Sequence, residues 1–197
     1  MPELPEVETT IRYLVKKVNG KKILSIKKSK KKLRKNLNLR DLSSIKGNKI
    51  IEVKRFAKYI LLRLSSGSFI IIHLGMSGRL KFYLKDSYKT EKHDHIVLEF
   101  EKFFIVYNDP RRFGMFFKLK DHEDLKSFFC NYGQDLLLDK VNISKIIKIF
   151  KNKSVSLKQA LLDQRIVVGL GNIYVNEALF HSRLSPLRLT NSLNDKE

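Results

Sequence analysis

Tyr59-Ile60-Leu61-Leu62-Arg63-Leu64-Ser65-Ser66-Gly67-Ser68-Phe69-Ile70-Ile71-Ile72-His73 is the stretch on which the fold turns. Its two apolar runs, rich in β-branched and aromatic residues, read as short strands on either side of the turn signal Ser66-Gly67. Outward from it the texture repeats in Ile23–Ile26, Ile50–Val53, Arg79–Leu84, Ile96–Phe100 and Phe104–Tyr107, with Gly47-Asn48 as another turn and Met115–Leu119 as one more strand. Short strands and turns over 22–107 predict an antiparallel β-sandwich or barrel.

Before that β region, Val7, Ile11, Leu14, Val15 and Val18 fall at helical spacing. The helix would begin after Pro5 and stop at Asn19-Gly20, with Glu6 and Glu8 complementing its N-terminal dipole. From Asp121 the period changes again: Leu125, Phe128 and Phe129, then Ile143, Ile146, Ile147 and Phe150, lie as on helices. The composition shift between Cys130 and Asp139 divides the chain into an expected β-sandwich domain with N-terminal helix, 1–130, and a helical domain, 131–197. The class is α+β. Within the second part Ser156 is an expected cap for a helix through Leu157, Leu161 and Leu162, and Gly169-Leu170-Gly171 forces a tight turn before a helix opening near Asn172. Helix, glycine turn, helix suits phosphate binding. The tail Thr190–Glu197 is polar and expected to end without packing partners.

The chain has 197 residues, enough to bury a core, and 43% of them are hydrophobic, which excludes a disordered basic tail. Forty Lys and Arg against twenty Asp and Glu leave a net charge of +20, which favours nucleic acid over acidic small substrates. Lysine abundance throughout contributes to that figure, and Lys27–Lys35 reads as a low-complexity run. Lysine runs are most often solvated. Cys130 is the only cysteine, which permits no intrachain disulfide and no multi-cysteine zinc site. No apolar run reaches membrane-spanning length, and the N-terminus lacks a signal peptide's basic start; a cytoplasmic protein is expected.

Three segments could carry chemistry. Pro2 would become the N-terminus once Met1 is removed, and an α-amine titrating near ~8 is roughly 10% unprotonated at pH 7, far more than a lysine at ~10.4. That favours Schiff-base chemistry, with the adjacent Glu3 as a proton shuttle. The bland alternatives are an ordinary Met-Pro start and a helix-dipole carboxylate. In Asp109-Pro110-Arg111-Arg112-Phe113-Gly114 two guanidiniums precede an aromatic in a Pro/Gly-bounded turn, which could fill space vacated by a base, or be a plain β-turn. Leu74-Gly75-Met76-Ser77-Gly78 presents a methionine where a turn is expected, although methionine is more often core filler.

Taken together, Met1–Thr9 (MPELPEVET), Ala57-Lys58-Tyr59, His73–Gly78 (HLGMSG), Lys92–His95 (KHDH), Asp109–Gly114 (DPRRFG) and Val167–Tyr174 (VVGLGNIY) resemble the formamidopyrimidine-DNA glycosylase family, in register from residue 1 to about Arg188. The resemblance implies an enzyme of DNA repair that excises oxidised purines such as 8-oxoguanine and formamidopyrimidines and cleaves the abasic strand by β,δ-elimination. It implies Pro2 as the nucleophile at C1′, Glu3 as the acid that protonates the sugar ring oxygen, and Lys58 as a phosphate-contacting lysine that assists catalysis. Met76, Arg111 and Phe113 match the residues that fill the gap left by the extruded nucleotide. His73, His93, Arg112 and Asn172 match DNA-binding positions, and Glu6 a glutamate near the site; Glu8 is read as structural. The partner implied is damaged double-stranded DNA, bound by a monomer in a bacterial-type, nucleoid-associated cytoplasmic setting. The sister family of endonuclease VIII-like glycosylases shares the Pro-Glu start, but Leu4, Val7 and the Met/Arg/Phe set look like the purine-directed branch. The family's pattern continues with more of its helix-two-turn-helix domain and a four-cysteine zinc ribbon. Neither is in this sequence, so the reading is a C-terminally truncated member with an incomplete helical domain and no metal ligands of its own. A catalytically impaired DNA-binding remnant is the alternative, and a basic RNA-binding protein a third reading, disfavoured by Pro2-Glu3.

Overall fold

A computed structural model describes residues 2–137, 140–194 and 197. The chain forms two compact units, Met1–Phe128 and Phe129–Glu197.

The first unit begins with helix α1 (Leu4–Val18), whose Leu4, Val7, Ile11, Leu14 and Val18 are buried along one stripe. Strands β1 (Ser25–Lys28), β2 (Ile50–Phe56), β3 (Tyr59–Leu64), β4 (Phe69–His73), β5 (Arg79–Leu84), β6 (Asp94–Glu99), β7 (Phe103–Asn108) and β8 (Met115–Leu119) follow, with helix α2 (Leu39–Ile45) between β1 and β2 and helix α3 (His122–Phe129) at the end. The strands make two antiparallel sheets, ordered β2-β3-β4-β8 and β1-β6-β7-β5. One apolar core joins them: Ile60, Leu62, Ile70 and Ile72 of one sheet meet Ile96, Leu98, Ile105 and Tyr107 of the other, with the α1 stripe at its edge. This is the expected sandwich. The run Phe69-Ile70-Ile71-Ile72 is apolar at every position because both faces of β4 are covered: the even residues face the core, while α3 supplies His122 against Phe69 (4.8 Å between ring centres) and Phe128 against Tyr59 (5.8 Å) and Phe117 (5.2 Å).

Two expectations here shift. Helix α2 lies inside the region read as β throughout. Asn38 caps it, accepting from Asp41 N (2.8 Å) while the Asp41 carboxylate accepts from Asn38 N (3.0 Å). The expected strand Ile23–Ile26 is observed two residues later, as Ser25–Lys28, because Ile23 is fully buried and hydrogen-bonds Asn48 and Gly47 rather than a sheet neighbour.

The second unit contains a short parallel pair, β9 (Gln134–Asp135) with β10 (Val167–Val168), and helices α4 (Ile143–Lys151), α5 (Leu157–Leu162) and α6 (Asn172–His181). Ser156 caps α5 as expected, accepting from Gln159 N at 3.3 Å. Between α5 and α6 the chain turns through Gly169 at φ +97°, and Gln164 holds the turn. Its Oε1 accepts from Gly169 N (3.2 Å) and its Nε2 donates to Leu162 O and Leu170 O. The tail does not end free. Thr190 is fully buried, donating its hydroxyl to Lys153 O (2.6 Å) and its N–H to Val155 O (2.9 Å), Leu193 packs on the Leu157–Val175–Leu179 cluster, and Arg188 pairs with Glu197. Polar composition misled because Thr190 satisfies its hydrogen bonds inside the unit. Among the described residues no helix is long and apolar enough to cross a membrane.

Candidate active site and nucleic-acid interface

The start of α1 carries the Pro2-Glu3 pair. Glu3 is the N-cap, only 1% exposed, and forms a capping box with Glu6, whose carboxylate accepts from Glu3 N at 2.8 Å. A buried carboxylate at a helix N-terminus sits in the positive end of the helix dipole, where its charge is stabilised. Pro2 precedes it, half-buried.

Lys58 is brought to Glu3 by the β2–β3 turn. Ala57 in that turn takes φ +51°, a left-handed conformation costly for a residue with a Cβ, and the buried Arg55 secures it by donating Nη1 to Ala57 O at 2.9 Å. Arg55 Nε in turn donates to Glu8 of α1 at 3.0 Å. Glu8, read as structural, therefore couples the helix that carries Pro2-Glu3 to the turn that carries Lys58. Burial pushes the Lys58 ammonium below the usual lysine range, and the Glu3 carboxylate opposes that shift.

His73 ends β4, opposite Tyr59 and Met115 in the sheet. Its ring lies 4.7 Å from that of Tyr59, and its Nδ1 accepts from Gly75 N at 3.0 Å. A backbone N–H is always a donor, so Nδ1 carries no proton and Nε2 does. Burial first, then the cations Lys58 and Arg34, push the imidazole down to about 4. At neutral pH His73 is thus an uncharged ring with one N–H, at Nε2, as its donor.

Two loops, 74–78 and 109–114, stand beside it and are tied together by Asp109. This fully buried carboxylate accepts from Ser77 Oγ (2.5 Å), Gly114 N (2.9 Å) and Arg111 N (3.2 Å), with the Tyr107 hydroxyl at 3.5 Å. Tyr107, pushed up by burial and by the Asp109 charge, keeps its proton and donates it to His73 O at 3.1 Å. The loops touch so closely that a Cβ on Gly75 would lie 2.6 Å from Gly114 N, and one on Gly114 only 1.6 Å from the Tyr107 oxygen. On this base Met76 is 40% exposed and Phe113 50% exposed, so neither is core filler. The Arg111 guanidinium lies 5.1 Å from the Phe113 ring centre, and Arg112 takes φ +60°, a strained conformation of the kind found at functional sites. A cleft of about 720 Å³ opens among Arg34, His73, Gly75, Met76, Arg111 and Phe113.

The structure thus gathers Glu3 and Lys58, and next to them His73 with Met76, Arg111, Arg112 and Phe113. His93 lies before β6 with its backbone carbonyl accepting from Asp109 N (3.0 Å), at the root of the same loop. Asn172 belongs to the second unit, as the first residue of α6 after the N-cap Gly171. Sequence reasoning missed Arg34, Arg55 and Asp109 as contributors. The only sequence signal for Arg34 was the pair Leu33 and Leu37, both buried, which anchor a segment that charge alone made look solvated. Among the described residues no three His, Cys, Asp or Glu side chains gather as a metal site, and Cys130 is exposed. The residues present do not fit the zinc that the resemblance implies for the family.

Known proteins resemble this chain in sequence and in fold. Residues 1–116 match the family model of the formamidopyrimidine-DNA glycosylase N-terminal domain, and residues 132–197 that of the formamidopyrimidine-DNA glycosylase H2TH domain. A formamidopyrimidine-DNA glycosylase of Wolbachia pipientis subsp. Culex pipiens (strain wPip) is 40% identical over 196 residues, covering 98% of this chain and 71% of the relative. One of Rickettsia bellii (strain OSU 85-389) is 38% identical over 200 residues, 100% of this chain and 72% of the relative. Among solved structures, the Lactococcus lactis Fpg in complex with DNA containing an abasic site superposes with a TM-score of 0.90 at 30% identity over 99% of this chain and 72% of that one. The wild-type Lactococcus lactis Fpg with N7-benzyl-Fapy-dG DNA gives 0.92 at the same identity and coverage.

Proposed function

The chain belongs to the formamidopyrimidine-DNA glycosylase family, and from that premise we propose that it binds damaged double-stranded DNA, excises oxidised purines and cleaves the resulting abasic strand through a Schiff base on Pro2. The observation that carries the reading is the burial of Glu3 at the α1 N-cap, with Pro2 before it and Lys58 beside it. In the proposed sequence the unprotonated Pro2 nitrogen attacks C1′ and the base departs with the electrons of the glycosidic bond. The Glu3 carboxylate takes the proton that the attacking nitrogen releases and passes it to the ring oxygen, the sugar opens, and C1′ becomes an iminium of the proline nitrogen. Loss of a C2′ proton then expels the 3′ phosphate, a second elimination expels the 5′ phosphate, and water releases the sugar fragment. Met76, Arg111 and Phe113 occupy the space of the extruded nucleotide, which offsets part of an unstacking cost of a few kcal/mol. Lys58, Arg112, neutral His73 and Asn172 hold phosphates. The setting proposed for this activity is base excision repair in a bacterial cytoplasm.

The test is borohydride trapping with abasic-site DNA. The covalent peptide should begin at residue 2, and Glu3→Gln should lower excision of damaged base by ~10² to 10⁴ with similar DNA affinity. Retention of Met1, or trapping undiminished in Pro2→Gly with the adduct on a lysine, overturns the assignment.

A further inference from the structure

We infer that Arg34 is a further DNA-phosphate-binding residue of this chain, set beside His73 by an isolated parallel bridge from Lys35 to the edge strand β8; the inference rests on the DNA-binding reading above. Lys35 forms a parallel bridge with Met115, Arg34 N donates to Gly114 O (3.1 Å), and Phe116 N donates to Lys35 O (2.9 Å). Met115 is in turn opposite His73, and His73 opposite Tyr59. One row across the sheet therefore reads Tyr59, His73, Met115, Lys35, with Lys58 and Arg34 each one residue from its two ends.

The segment is docked and not a loose tail. Leu33 and Leu37 are buried, Lys28 Nζ donates to Leu37 O (2.8 Å), and the Lys35 ammonium sits 3.9 Å from the Phe117 ring centre and 4.9 Å from that of Phe128. Three lysines of the Lys27–Lys35 run are thus engaged internally, Lys28, Lys35 and Lys31, whose Nζ donates to Lys92 O at 3.4 Å. Arg34 has no carboxylate partner among the described residues, and the cleft it lines with His73 also carries Lys32, Arg111 and Arg112 but no carboxylate. Grouping cations with a neutral N–H donor costs electrostatic energy that an anion would relieve, and the downward push of Arg34 and Lys58 on His73 records that cost. The guanidinium fork fits two oxygens of one phosphodiester.

The experiment measures affinity of the full chain for a labelled duplex containing a tetrahydrofuran abasic analogue, and for the undamaged duplex, over a series of NaCl concentrations. Arg34→Ala should reduce the slope of log affinity against log salt by about one and weaken both duplexes roughly tenfold at low salt. Arg34→Lys should restore the slope and only part of the affinity. Melting should stay at the parent's temperature, since no described side chain bonds this one. An unchanged slope in Arg34→Ala, a loss confined to the lesion duplex, or an equal loss in the neighbouring Lys30→Ala overturns the inference while leaving the glycosylase reading in place. Absence of salt-dependent binding by the parent protein overturns both.

Discussion

Replacing Asp109 by Ala should be among the most damaging single changes in the first unit. The carboxylate is fully buried and accepts two short hydrogen bonds, from Ser77 Oγ at 2.5 Å and Gly114 N at 2.9 Å. Hydrogen bonds to a charged group are worth about 1.5–3 kcal/mol each, and the donors left behind are not all able to reach water. The bond from Arg111 N is on an exposed loop and can be replaced by solvent, and the Tyr107 hydroxyl at 3.5 Å keeps its other acceptor, His73 O. Two bonds therefore set the scale at about 3–6 kcal/mol, a large part of a typical 5–15 kcal/mol. At about 2–4 °C per kcal/mol for a chain of this size, Asp109→Ala should melt about 6 to 24 °C below the parent. Asp109→Asn keeps the shape and one carbonyl acceptor but presents an NH₂ to one donor, so it should lose about half as much. Thermal denaturation followed by circular dichroism measures both. In parallel, 2-aminopurine placed opposite an abasic analogue should lose its fluorescence response, because Met76 and Phe113 no longer stand on one base. Melting of both variants within about 2 °C of the parent refutes the reasoning.

His73 should make stability depend on pH in a defined window. Its folded-state value of about 4 lies below the ordinary 6.5, so between those values the unfolded chain takes up a proton that the folded one lacks; stability is complete above pH 6.5 and is lost as pH falls toward 4. A half-buried ring makes the loss about 2 kcal/mol, and His73→Gln should melt with a flatter pH profile over pH 4–7; parallel profiles contradict this. Arg112→Gly should leave the melting temperature nearly unchanged, since relief of left-handed strain of about 1 kcal/mol offsets the glycine entropy cost, while DNA affinity falls and the salt slope shrinks by about one. A stability loss above about 2 kcal/mol would mean that the Arg112 side chain holds the loop itself.

What could be read from sequence was whatever periodicity and turn chemistry record. Phe69–His73 and Tyr59–Leu64 stood out because burial on both faces leaves each strand a single polar position, His73 and Arg63, beside an otherwise unbroken apolar run. The α5 cap and the Gly169 turn were legible because each depends on a single residue type at a single place. Helix α2 was not, since seven residues with Leu39 exposed carry no stripe, and only the Asn38/Asp41 box marks it. The candidate site was legible as residues but not as geometry. Glu8 and Arg55 are 47 positions apart, and nothing local ties the helix-face carboxylate to the strand guanidinium. Lys35 looked solvated because composition cannot show that two phenylalanines, 82 and 93 residues on, lie under its ammonium. Thr190 was misread for the mirror-image reason, a polar side chain whose partners come from the 153–155 segment.

The crowding around the Tyr107 hydroxyl leaves positions 78 and 114 no choice but glycine. A Cβ at position 114 would lie 1.6 Å from that oxygen and 2.9 Å from the ring carbon that bears it, and one at position 78 would lie 2.6 Å from the same oxygen. No larger residue can be accepted at either glycine while the tyrosine stands, and removing only its hydroxyl still leaves the ring against position 114. Losing the ring would free neither glycine, because a Cβ at position 78 would still lie 2.3 Å from Leu74 O and one at position 114 would still lie 2.7 Å from His73 O. Each substitution is harmful alone and coupled to the other through shared space. Both glycines are therefore held by the backbone of the strand end at 73–74 as well as by the tyrosine, and neither can be released by changing position 107 alone.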